Sequence, residues 1–89
     1  MRSRTTARFR RAFSALPPEI RELARRSYEQ FRVNPESPGL RFKLVHPSRP
    51  LYSVRIGLHY RALGVVSGEE IVWFWVGSHD AYERLLAQG

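Results

Sequence analysis

Apolar residues change from helical to alternating spacing over 34–39 of this 89-residue chain, and that change sets the class of fold. Before it, Phe9, Ala12, Phe13 and Leu16 recur at i, i+3, i+4 and i+7, the stripe of an amphipathic helix. Pro17-Pro18 ends that helix and opens another, because proline suits a first helical turn but not a helix interior. Ile20, Leu23, Ala24, Ser27 and Phe31 mark the second helix to about Val33, with Arg21, Arg25, Arg26 and Arg32 off the stripe. Asn34-Pro35 stops it, and the short connection makes the two helices an antiparallel hairpin. After a loop over 35–39 the period is two. Leu40, Phe42 and Leu44 alternate with Arg41, Lys43 and Val45 as a strand, and 46–50 is a turn-rich connector. Three further β-rich runs cover 51–56, 60–66 and 70–76, with Ser67-Gly68 as a hairpin turn. Ser78 suits the cap of a last helix, with Asp80 in its first turn. The expected fold is α+β: an N-terminal antiparallel helical hairpin packed on a mostly antiparallel four-stranded sheet, then a short C-terminal helix.

Size and composition bound what such a fold can do. At 10.4 kDa the expectation is a single domain over 1–89, without room for a separate cofactor domain. The absence of cysteine excludes a disulfide framework and a cysteine zinc site. No spaced His/Asp/Glu cluster points to a metal, no glycine-rich phosphate loop or Ser-His-Asp pattern stands out, and no cofactor is expected. The longest apolar run, 71–77, is far short of the roughly 20 residues of a membrane span. Residues 1–16 hold five arginines and no acid, as transit peptides do, but lack an apolar segment and a cleavage pattern. The expectation is therefore that they belong to the fold and that the protein is cytoplasmic.

Charge is the strongest pointer to a partner. The formal net charge is +7, and Lys43 is the one lysine among 15 cationic residues. The guanidinium fork grips phosphate or carboxylate through two hydrogen bonds, although a bias toward arginine codons produces the same excess. Distribution says more than the total. The 32 residues between Glu36 and Glu69 contain Arg41, Lys43, Arg49, Arg55 and Arg61, with His46 and His59, and no acid. A solvated surface mixes signs, so this window reads as the footprint of a polyanion, nucleic acid or an acidic protein.

Parity orders the faces of the sheet. If Gly57-Leu58-His59 is a three-residue hairpin loop, Ile56 pairs with Tyr60 and Arg55 stands opposite Arg61. Ser53, Arg55, Arg61, Leu63 and Phe74 then share one face. Tyr52, Val54, Ile56, Tyr60, Ala62, Gly64, Trp73 and Trp75 share the other, where small Ala62 and Gly64 make room for both indoles under the helices. Two cations directly opposed repel, an arrangement best tolerated when an anion is supplied from outside.

The segments YSVRIGLHYRALGVV (52–66) and IVWFWVGSHDAY (71–82), in this order of elements, resemble the RelE/ParE superfamily of bacterial toxin–antitoxin toxins. Some members cut messenger RNA, often on the ribosome; others poison DNA gyrase. The resemblance implies that Arg55 grips RNA phosphate, that Arg61 stabilises the scissile phosphate, that His79 takes the place of the Arg or His following the family glycine, and that Tyr82 stands near a Tyr that stacks on a base or assists chemistry. Ser53 occupies the place of a RelE catalytic lysine, the interval from His79 to Tyr82 is shorter than in RelE, and only 1–5 can supply the family's first strand.

RNA carries its own nucleophile, the 2′-OH, so a metal-free nuclease needs cations for the extra charge and groups to move protons. Arginine is too basic to act as a base, which leaves His79, His59 and Tyr82, with histidine best suited near neutrality. The expected catalytic set is Arg61, His79 and Tyr82, with Arg55, Ser53, Lys43, Arg41 and His59 binding RNA. Each position has a plainer use: His79 suits a helix start, His59 a hairpin tip, His46 a loop, and Tyr82 a helix anchor. The expected function is a toxin that cleaves mRNA on the ribosome and is silenced by a cognate antitoxin. The alternatives are a non-enzymatic gyrase inhibitor and a basic RNA-binding module.

Overall fold

The computed structural model describes residues 1–88. Strand β1 (Arg2–Thr5) leads directly into helices α1 (Ala7–Ser14) and α2 (Pro18–Val33). A 3-10 turn (Pro38–Leu40) precedes strands β2 (Lys43–Leu44), β3 (Leu51–Ile56), β4 (Tyr60–Ser67) and β5 (Glu70–Ser78), and helix α3 (His79–Gln88) closes the order. The sheet runs β1-β5-β4-β3-β2, with β1 parallel to β5 and the other pairs antiparallel.

The helical hairpin forms as its stripe requires. Thr6 caps α1 by accepting the Phe9 N–H at 3.0 Å, and the proline pair separates the helices. Leu16 lies just past the end of α1 yet is buried. Phe31 meets Phe42 and Trp73 edge-on, at ring separations of 5.0 and 5.4 Å. With Val54, Ile56, Ala62, Ile71 and Val76 they form the core, and Phe9, Phe13, Ile20 and Leu23 pack on it from the helices.

The sheet has five strands rather than four. Arg2–Thr5 is polar and has no strand signature of its own; it pairs because the outer edge of β5 offers partners, Glu69 accepting from Arg2 N–H and Trp73 from Thr6 N–H. The strand expected over 40–45 shrinks to two residues. Arg41 sits at φ +47°, in the left-handed region, so Leu40 reaches the core from the 3-10 turn instead.

The expected β3–β4 register is present, with Ile56 opposite Tyr60 and Arg55 opposite Arg61. Trp75, however, does not share a face with Trp73. Gly64 pairs with Trp73 and Leu63 with Trp75, leaving Phe74 as the extra residue of a β-bulge. The bulge shifts parity by one, so Trp73 faces the helical hairpin and Trp75 the opposite side. Each indole lies over a glycine: a Cβ at Gly64 would come within 2.8 Å of Trp73, and one at Gly77 within 2.7 Å of Trp75.

A cavity of about 640 Å³ opens between the hairpin and the sheet, lined by Phe9, Phe13, Ala24, Phe31 and Trp73 among others. No helix among the described residues is long and apolar enough to cross a membrane.

Candidate functional site

The face opposite the helical hairpin carries Ser53 and Arg55 from β3, Arg61 and Leu63 from β4, and Trp75 and Gly77 from β5. Helix α3 lies over part of it. The Ser78 hydroxyl caps α3 by accepting the Ala81 N–H at 3.1 Å, and the backbone N–H of His79 donates to the His59 carbonyl at 2.7 Å. The β3–β4 tip and the start of α3 are thus tied together, which sets His79 beside the basic strands.

Tyr82 is the buried residue of α3, and Arg61 and His79 gather around it. The Arg61 guanidinium carbon lies 5.7 Å from the centre of its ring, on the cation–π side. The His79 ring stacks 5.9 Å away and Trp75 tilts against it at 6.5 Å. The Tyr82 hydroxyl donates to Ser53 Oγ at 3.4 Å. Below them Ser53 and Leu63 are sealed, at 0% and 1% exposure.

The arginines are set differently. Arg55 Nε donates to the Gly57 carbonyl at 2.9 Å, across a hairpin that Gly57 closes at φ +59°. Arg61 Nη1 is covered and has no hydrogen-bond partner. Neither arginine is among the ion pairs of the described residues. His79 remains partly open, its side chain 42% exposed, with Nε2 3.1 Å from a Glu83 carboxylate oxygen. That contact orients the ring.

Of the eight residues expected to form the site, Arg55, Arg61, Ser53, His79 and Tyr82 come together. His59 is exposed at the hairpin tip and joins them through its backbone. Lys43 is exposed at the sheet edge, opposite Ser53 in register. Arg41 is exposed, but it precedes β2 and does not share that strand's face by parity. Two roles need correction. Ser53 is fully buried, so it presents nothing to RNA in this conformation. Tyr82 is 5% exposed, so its ring cannot stack on a nucleobase while α3 is seated. Trp75, expected on the hairpin face, lies on this one instead, above Gly77. Among the described residues no group of three or more His, Cys, Asp or Glu is placed to hold a metal ion.

Comparisons with known proteins give a family model and a shared fold. A family model described as a ParE-like toxin domain matches residues 18–84. Among solved structures, a chain of the RelB–RelE antitoxin–toxin complex from Methanococcus jannaschii superposes with a TM-score of 0.70 at 20% identity, covering 92% of this chain and 96% of that one. The YoeB/ParE toxin from Agrobacterium tumefaciens gives 0.69 at 15% identity, covering 89% and 99%. The RelBE2 toxin–antitoxin complex from Mycobacterium tuberculosis gives 0.63 at 26% identity, covering 88% and 96%. The curated proteins contain no sequence match to the chain.

Proposed function

This chain belongs to the ParE-like toxin domain family, and from that premise we propose that it is the toxin of a toxin–antitoxin pair and acts as a metal-independent endoribonuclease on messenger RNA. The observation that carries the reading is the constellation itself: Arg61 and His79 meet around one tyrosine ring, and a second arginine stands directly across from Arg61. In this reading the RNA 2′-oxygen attacks the adjacent phosphorus and the bond to the 5′-oxygen breaks. His79 takes the 2′-OH proton, oriented by Glu83, and the leaving 5′-oxygen takes a proton from water. Arg61 and Arg55 hold the phosphate and offset the charge that grows on it. The antitoxin-bound state of relatives such as RelE of M. jannaschii supports a cognate antitoxin as the silencing partner.

A second reading has an observation in its favour. Ser53 and Tyr82 are withdrawn from the surface, which leaves a basic face with one open proton-transfer group, and a ParE-like inhibitor of DNA gyrase needs none.

One experiment separates the two. Cleavage sites are mapped on mRNA in a translation extract, with and without the protein, alongside His79→Ala and Arg61→Ala. Cuts that appear with the wild type and vanish in both variants establish the nuclease. Intact RNA with arrested supercoiling establishes the gyrase reading.

A further inference from the structure

Arg55 and Arg61 face each other across β3 and β4, where like charges push side chains apart. Arg55 is tied down through Nε by the Gly57 carbonyl. Arg61 has no such bond, and its Nη1 is sealed from water without an acceptor, which is unfavourable for a charged donor. Something other than a hydrogen bond must therefore fix its guanidinium on the face it shares with Arg55. The candidate is the Tyr82 ring, 5.7 Å from the guanidinium carbon. That ring is itself fixed: it is 5% exposed, is flanked by Trp75 and His79, and its hydroxyl is committed to the fully buried Ser53.

We propose that Tyr82 is a positioning residue for Arg61, seated by Ser53. Its ring holds the guanidinium next to Arg55, so that the two arginines stand as a preformed clamp for a single phosphate group. Cation–π attraction offsets the repulsion between the arginines, and the buried serine supplies a floor small enough to let the ring settle. Without the ring, Arg61 swings away from Arg55, and a phosphate must first bring the pair back together, which lowers affinity without removing a contact. This role rests on the phosphate-binding reading of the basic face and assigns Tyr82 a task that needs neither its hydroxyl at the reacting atoms nor a stacked base.

The test has two parts. The first uses no ligand. In ¹⁵N-labelled protein, the Arg61 Nε–H resonance is compared among wild type, Tyr82→Phe and Tyr82→Met. Methionine keeps apolar bulk and helix preference without a ring, and Tyr82→Leu stands in if the methionine variant does not fold. The ring-shifted signal is expected in wild type and Tyr82→Phe and lost in the ringless variant. The second part is a double-mutant cycle on affinity for a short 2′-O-methyl RNA, which lacks the free 2′-OH and is not cut. Tyr82→Met is expected to weaken binding about tenfold, and Tyr82→Phe less than about threefold. In an Arg61→Ala background Tyr82→Met should cost nothing further, because a residue acting through Arg61 has nothing left to position. An Arg61 signal that ignores loss of the ring, or the same tenfold loss in both backgrounds, overturns the proposal. A wild-type protein that shows the expected signals but binds no oligonucleotide overturns the RNA reading and leaves the positioning role standing.

Discussion

Glycines 64 and 77 separate stability from site geometry at single positions. Each lies under a tryptophan, on opposite faces of the sheet. A methyl at Gly64 meets Ile71 and Trp73 inside 2.9 Å within the closed core, so Gly64→Ala is expected to cost about 1–3 kcal/mol. On a domain this small that lowers the melting temperature by several degrees or more, read by calorimetry. A methyl at Gly77 meets the Trp75 ring at 2.7 Å instead, and that ring leans on Tyr82. Gly77→Ala should therefore displace the tyrosine and cut RNA cleavage beyond what its melting temperature explains. Equal loss of activity in the two variants at matched stability would break the distinction. Arg21 makes a related point. Its place off the helical stripe marked it as surface charge, yet its guanidinium donates to the Ser14 and Leu16 carbonyls at 3.3 and 2.6 Å and closes the turn between α1 and α2. Arg21→Ala is expected to cost roughly 1 kcal/mol, visible in a denaturant midpoint, whereas Arg26→Ala, at an exposed arginine paired with Glu22, should cost little.

At the scale of elements, what could be read from the chain depended on whether neighbouring residues carried the pattern. The helical stripe, the proline pair and the three-residue tip at 57–59 are local signals, and α1, α2 and the β3–β4 register follow from them. The bulge at Phe74 is not local. Between Ile71 and Val76 every residue is apolar, so no alternation marks where parity slips, and the strand settles it by packing Trp73 and Trp75 on opposite faces. Strand β1 has four polar-to-small residues and exists through β5. Ser53 and Tyr82 stand 29 positions apart and meet only because α3 folds back over the sheet. The candidate arginines were legible as charge; their different tethering was not. The hairpin layer offers a prediction of its own. Ala24 on α2 lines the cavity above the sheet, and leucine there keeps helix preference while filling space. Ala24→Leu should stabilise the protein by about 0.5–2 kcal/mol, raising its melting temperature with the α3 side unchanged. A lower melting temperature would show that the cavity closes in solution.

Over the whole molecule, two groups of cations stand on basic surfaces with the sheet between them. One comprises the exposed arginines of α1: Arg8, Arg10 and Arg11. Part of it is engaged, since Arg10 Nη1 bonds the Thr5 carbonyl at 2.8 Å. The other is the face of Arg55 and Arg61, with Lys43 at its edge. Charge alone does not say which one meets the polyanion, but salt does. Each phosphate neutralised by direct contact on a single strand contributes about 0.7 to the slope of log affinity against log salt. Long-range attraction acts mainly on the rate of encounter and fades beyond the Debye length, about 10 Å at 0.1 M salt. For a short uncleavable RNA, Arg55→Gln and Arg61→Gln combined should therefore reduce that slope by about 0.7 in anisotropy titrations between 50 and 200 mM salt, because the two share one phosphate. Arg8→Gln with Arg11→Gln should slow association at low salt and leave the slope unchanged. The opposite pattern, a slope that responds to the α1 pair and ignores the strand pair, would put the nucleic acid on the helical hairpin and leave the Arg55–Arg61 face to an acidic protein partner.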